Sequence, residues 1–157
     1  MSATRIRPIE SSHIADLIRI ADDTNLNRWT AAHYLDELKN AHAIMLRLES
    51  AENTTLGFIV GRIVAATDDE MAVEAEIYNI GVNPVNQRSG HGQILMDAFM
   101  DACREKQVRS IWLEVRESNI PALLIYKKNG FEAVTTRKDF YDGPRENGIL
   151  MRRVLGY

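Results

Sequence analysis

Much of what builds special architectures is scarce in this sequence. Its 157 residues include one cysteine, Cys103, so no internal disulfide can staple the fold and no cysteine-built zinc site can form. The four histidines, His13, His33, His42 and His91, share no ligand spacing, and no metal is expected. No apolar run approaches the roughly 20 residues of a membrane span, and the opening MSATRIRPIE lacks the apolar core of a signal peptide. With a lone cysteine, that predicts a cytoplasmic protein without a membrane partner. An excess of positive charge is missing too: 19 basic residues face 22 acidic ones, a net charge of −3, so nothing advertises a nucleic-acid-binding face. Disorder is excluded by a hydrophobic content of 45% against 26% charged residues. Repeats, low-complexity tracts and linkers are absent, and the length suits one domain, residues 1–157.

What is present alternates between strand and helix patterns. TRIRPI reads as a first strand. SSHIADLIRIAD has a Ser cap and apolar Ile14, Leu17, Ile18 and Ala21 at helical spacing. Thr30 caps a second helix carrying Tyr34, Leu35 and Leu38. AHAIMLRLE and TTLGFIVGRIVA make a hairpin about SAEN, and AEIYNIGV is a further strand. A long helix over 90–106, the strand RSIWLEV and the helix SNIPALLIYKKNGF follow. Asn119 or Ser118 caps that last helix, Pro121 sits in its first turn and Gly130 ends it. FEAVTTRKDFY and NGILMRRVL close the chain around DGPRE. The order β-αα-βββ-α-β-α-ββ predicts an α/β fold, a mixed sheet with helices on both faces.

The stretch NQRSGHGQ, residues 86–93, stands between a strand and a helix and exposes two glycines one residue apart. Amides at a helix start have no partner inside the helix and carry the positive end of its dipole. Gly90 and Gly92 remove Cβ atoms that would hold a phosphate away. Their N–H groups, with those of Ser89 and His91, can wrap a pyrophosphate, and Arg88 adds charge. On the stretch alone, a turn using glycines for geometry is an equal reading. The two better-known phosphate templates do not fit: there is no Gly-Lys-Ser/Thr ending and no third glycine at dinucleotide spacing.

QRSGHG resembles the Gln/Arg-x-x-Gly-x-Gly/Ala signature of the GCN5-related N-acetyltransferases (GNAT). NIPALLIYKKNGF fits that family's later Asn-x-x-Ala-x-x-x-Tyr-x-x-x-Gly-Phe helix, and NIGVNP resembles the strand that pairs with the pantetheine arm. Within the family, WLEVRESN, DFY and ILM are most similar to the bacterial ribosomal-protein alanine acetyltransferases of the RimI type. The resemblance implies the GNAT fold, with a mostly antiparallel central sheet. It also implies acetyl-CoA as co-substrate and transfer through a ternary complex to the N-terminal α-amine of a protein or peptide, a ribosomal protein among the acceptors.

The resemblance assigns roles. It implies that Glu114 accepts the amine proton; on the residues alone, a solvated strand glutamate near Arg116 is the plainer reading, although a carboxylate beside Trp112 can be partly desolvated. Tyr126 is implied to protonate the departing coenzyme sulfur, where a core tyrosine would otherwise do. Asn119, beyond capping, is implied to bind the coenzyme, as are Gln93 and the glycine turn. Ile80, Gly81 and Val82 would present amides to it if a bulge near Asn79 frees them. Tyr141 resembles a loop tyrosine closing over the acceptor; covering the sheet is the alternative. Asp68, Asp69, Glu70, Glu74 and Glu76 are a solvated cluster or an attraction for a cationic substrate. Asn147 and Gly148 depart from the RimI pattern of an acidic residue and alanine. The competing functions are an acetyltransferase for a small amine, amino acid or lysine, and a non-catalytic acyl-CoA-binding module. An open groove leading to Glu114 would favour a peptide acceptor over a small amine. The sequence leaves the oligomeric state open.

Overall fold

The computed structural model describes residues 3–23, 29–86 and 89–156. The elements follow the expected order: β1 (Thr4–Pro8), α1 (Ile14–Asp23), α2 (Ala31–Leu38), β2 (Ala43–Ser50), β3 (Thr55–Ala65), β4 (Val73–Val82), α3 (His91–Glu105), β5 (Ser110–Arg116), α4 (Ile120–Lys128), β6 (Glu132–Tyr141) and β7 (Glu146–Val154). The strands form one sheet in the order β1-β2-β3-β4-β5-β7-β6. Every pairing is antiparallel except β4 with β5.

Alternation along the strands feeds two cores. On β3, Ile59 points into the layer under α3, whereas Phe58 and Val60 point to the opposite side, where α1 and α2 pack. α3 buries Leu95, Met96, Phe99, Met100 and Cys103. It lies close to the sheet because Gly61 has no side chain; a Cβ there would collide with the Phe99 ring and the Glu76 carbonyl.

Helix ends mostly follow local chemistry. Thr30 Oγ1 accepts the His33 amide at 3.3 Å, and the Thr30 amide donates to His33 Nδ1 at 2.9 Å, fixing the start of α2. Asn119 Oδ1 accepts the Ala122 amide at 3.3 Å, and Gly130 ends α4 at φ +83°. The Ser cap expected for α1 is displaced. Ser11–His13 form a separate 3₁₀ turn with Glu10 at the cap position, its amide donating to His13 Nδ1 at 3.0 Å, so α1 starts at Ile14. Ile20 is fully buried on α1, while Ile18 is only partly so. Among the described residues, no helix is long and apolar enough to cross a membrane.

Candidate active site

The site begins where the one parallel pairing ends. β4 and β5 pair at Ala75–Ile111, Glu76–Trp112 and Ile77–Leu113, and no further. The cause is a bulge on β4: Val60 faces Asn79 and Gly61 faces Ile77, which leaves Tyr78 as the extra residue and bends the strand. β4 then follows β3 through Val82, while β5 follows β7 as far as Arg116–Gly148. The sheet splits between them. The bulge lies one residue before Asn79, and the stretch Ile80, Gly81 and Val82 forms the β4 arm of the split.

Side chains from four elements meet there: Tyr78 from β4, Glu114 and Arg116 from β5, Asn119 at the cap of α4, Tyr126 from inside α4, and Tyr141 at the end of β6. Tyr126 is buried, and that burial, followed by the nearby Tyr141, raises its phenol pKa well above the ordinary value. Its proton is therefore retained at neutral pH. Tyr141 ends β6 and does not stand in the loop, which corrects the expectation. Its ring lies 4.5 Å under the Arg116 guanidinium, and burial, then the Glu114 charge, push its phenol up to about 12. Arg116 is spent on the β6–β7 turn: it donates to the Pro144 and Asp142 carbonyls at 3.0 and 3.1 Å and pairs with Glu146 at 3.2 Å.

Glu114 is the carboxylate at the centre. Its side chain is 22% exposed, Oε1 lies 3.5 Å from Arg137 Nε of β6, and Oε2 is buried without a hydrogen-bond partner. Desolvation raises its pKa, Arg137 opposes that, and Glu76 adds to it. The plainer reading of the sequence, a solvated glutamate near Arg116, does not describe this group.

On the other side of Glu114 runs a groove of about 620 Å³. That lies in the range of ligand sites, roughly 300–1,000 Å³. Glu76, Trp112, Arg137 and Phe140 are among its walls. Tyr78 and Glu114 are the polar side chains common to groove and split. Much of the acidic cluster is already engaged: Asp68 pairs with Arg109 at 2.7 Å, and Glu74 accepts the Trp112 indole N–H at 3.1 Å. Glu74 and Glu76 both line the groove, and Glu76 is the one whose charge bears on Glu114. The departures at 147 and 148 have local work. Asn147 Oδ1 accepts the Asp139 amide at 3.0 Å, and a Cβ on Gly148 would lie 3.1 Å from the Phe140 ring.

The glycine turn opens α3 at the far end of the split. Gly90 is the N-cap residue at φ +81°, a conformation costing an L side chain about 1–2 kcal/mol. A Cβ there would meet nothing within 4 Å, and one on Gly92 would meet only Val82 Cγ2 at 3.8 Å. Protein crowding therefore does not demand either glycine. Ser89 Oγ lies 3.2 Å from His91 Nδ1. The Gln93 side chain is turned away: it donates to Asn129 Oδ1 at 2.7 Å and to Asp97 at 2.8 Å, locking α3 to α4. Its backbone N–H is what it can offer a ligand. Arg88 lies outside the described residues. Reading the sequence missed Tyr78, Arg137 and Asn129; Asn129 alone had a local signal, its place before Gly130.

Residues 14–131 match the Acetyltransferase (GNAT) family. The chain belongs to that family. It is an acetyl-CoA-dependent N-acetyltransferase, as the resemblance implied. A [ribosomal protein bS18]-alanine N-acetyltransferase of Haemophilus influenzae is 34% identical over 154 residues, covering 96% of this chain and 98% of that protein. The crystal structure of the ribosomal-protein-S18-alanine N-acetyltransferase from Escherichia coli superposes with a TM-score of 0.83 at 25% identity, over 99% of this chain and 96% of that one. Ard1 from Thermoplasma volcanium gives 0.86 at 30% identity, over 99% of both chains. Among the described residues, no group of three or more His, Cys, Asp or Glu could hold a metal ion.

Proposed function

We propose that this acetyltransferase, working as one domain in the cytoplasm, acetylates the N-terminal α-amine of a protein, with a ribosomal protein beginning in alanine as its acceptor. The observation carrying this reading is the position of Glu114 Oε2, an unpartnered carboxylate oxygen where the coenzyme split meets the groove. The likeness to the bS18-alanine enzyme across nearly the whole of both chains supports the acceptor.

Acetyl-CoA supplies an acetyl group activated as a thioester. The amides at the start of α3 hold its pyrophosphate, and Asn119 and the β4 arm at Ile80, Gly81 and Val82 hold the arm that leads into the split. The acceptor amine enters along the groove, guided by Tyr141. Glu114, directly or through one water, takes the amine proton as nitrogen attacks the carbonyl carbon; Tyr126 gives its proton to the departing sulfur. Protons balance: one is lost from nitrogen and one is gained by sulfur.

The nature of the amine follows from the base. Only a neutral amine attacks, and near pH 7.4 roughly a quarter of α-amines but about one lysine in a thousand is neutral. A single carboxylate of raised pKa suffices for the first. A groove of this size, rather than a closed pocket, supports a peptide over a small amine. Two peptides test the proposal: one with a free N-terminal alanine, the other N-terminally blocked with an internal lysine. Mass spectrometry should find acetyl on the first alone; equal rates would overturn the α-amine assignment.

A further inference from the structure

The base has a counter-ion that the family resemblance did not point to. Arg137 lies on β6, the edge strand of the sheet, and is the last regularly paired residue before its register with β7 breaks: Arg137 faces Gly148, and the next pair is Tyr141 with Glu146. Asp139, at φ +53°, lies inside that break. The irregularity brings Arg137 and Phe140 onto one wall of the groove, the guanidinium 5.7 Å from the Phe140 ring centroid. From there Nε reaches Glu114 Oε1 at 3.5 Å, across the intervening β7, while Oε2 is left buried and unpartnered. A buried carboxylate oxygen without a partner is costly, and its place in the cleft points to a proton-bearing ligand as that partner.

We propose that Arg137 is a positioning residue that keeps Glu114 ionised and turns Oε2 toward the acceptor amine. The proposal rests on Glu114 being the base. The other charged and titratable groups around this carboxyl are Glu74, Glu76 and Tyr78 from β4, Arg116 from β5, Tyr126 from α4, Tyr141 from β6 and Glu146 from β7. Arg116 is bound to Glu146 and the turn carbonyls, and the tyrosines bring no positive charge. Among the described groove-lining residues, Arg137 is thus the cation in reach of Glu114, and it opposes both desolvation and Glu76. With its side chain 50% exposed, it can be replaced without burying a new charge.

Removing the guanidinium should raise the Glu114 pKa, so that the base is protonated over more of the working range. The test compares wild type, Arg137→Met and Arg137→Lys, each labelled with ¹³C at glutamate carboxyls, the Glu114 signal being assigned by its loss in Glu114→Gln. In the Met variant the Glu114 titration midpoint should move upward. The acid limb of kcat/KM for the free-alanine peptide should move with it, leaving the rate several-fold below wild type near pH 6 and converging near pH 9. Lysine should restore most of both. The free peptide amine titrates identically for all three enzymes, so differences between profiles belong to the protein. An unmoved midpoint overturns the role of Arg137 while leaving Glu114 as the base. A midpoint that moves without the rate profile overturns the proposal by showing that Glu114 is not the base.

Discussion

In the proposed mechanism Glu114 and Tyr126 carry opposite halves of the proton transfer, and burial bears on each. Desolvation raises both, but Glu114 starts from a carboxyl value and keeps Arg137 beside it, whereas Tyr126 starts high and is driven higher. A base works when deprotonated, so the raised pKa of Glu114 moves the acid limb of activity upward from the ordinary carboxylate range. An acid works when protonated, so Tyr126 stays competent across the physiological range and should add no alkaline limb there. Glu114→Gln should lose about 100- to 10,000-fold in kcat at neutral pH, the deficit shrinking as pH rises and hydroxide takes the proton in its place. Tyr126→Phe should lose a similar factor that does not shrink as pH rises. Rate profiles of the two variants from pH 6 to 9 check both. The identities of these residues were legible in WLEVR and in NIPALLIYKKNGF. Arg137 and Tyr78 were not, because their importance comes from register: a break between β6 and β7 and a bulge facing Val60 and Gly61, pairings that join distant stretches of chain.

At the scale of elements, local signals gave the helices and strands almost completely, since each of the caps Thr30, Asn119 and Gly130 acts within three or four residues of its own position. The Ser cap of α1 failed because His13 offered a ring nitrogen to the Glu10 amide and made a separate turn. The insertion of β7 between β5 and β6 has no local signal at all, and because of it Arg137 of the outermost strand meets Glu114 only across an intervening strand. Two glycines separate ligand from packing. Gly90→Asp puts a carboxylate and an L side chain at φ +81° into open space before the α3 amides. Acetyl-CoA affinity by calorimetry should fall by orders of magnitude in a protein that remains folded; unchanged binding would remove the turn from the coenzyme site. Gly61→Ala instead drives a methyl into Phe99 and the Glu76 carbonyl. It should destabilise the fold by about 1–3 kcal/mol or more, read as a lowered denaturant midpoint.

Over the whole molecule, a net charge of −3 describes no particular surface; what reaches the acceptor is the charge left in the groove after internal pairing. Asp68 and Glu74 are drawn to Arg109 and Trp112, and Arg137 offsets Glu114; Glu76 is hydrogen-bonded to Tyr78, a neutral donor, and so keeps its charge beside the proposed acceptor path. The acceptor should therefore prefer basic residues close behind its first, and only modestly: a solvated pair contributes about 0.2–1 kcal/mol, at most about fivefold in KM. Because such pairs are screened over about 10 Å at 0.1 M salt, the preference should fade as salt rises. Glu76→Gln should abolish it at every salt concentration. The same substitution removes a charge that raises the Glu114 pKa, so the acid limb of the rate profile should move downward, opposite to the effect of removing Arg137. Steady-state kinetics on paired peptides, one with arginine and one with glutamine at the second position, in low and high salt and with both enzymes, measure preference and limb together. A preference that survives in Glu76→Gln would place acceptor selection elsewhere along the groove.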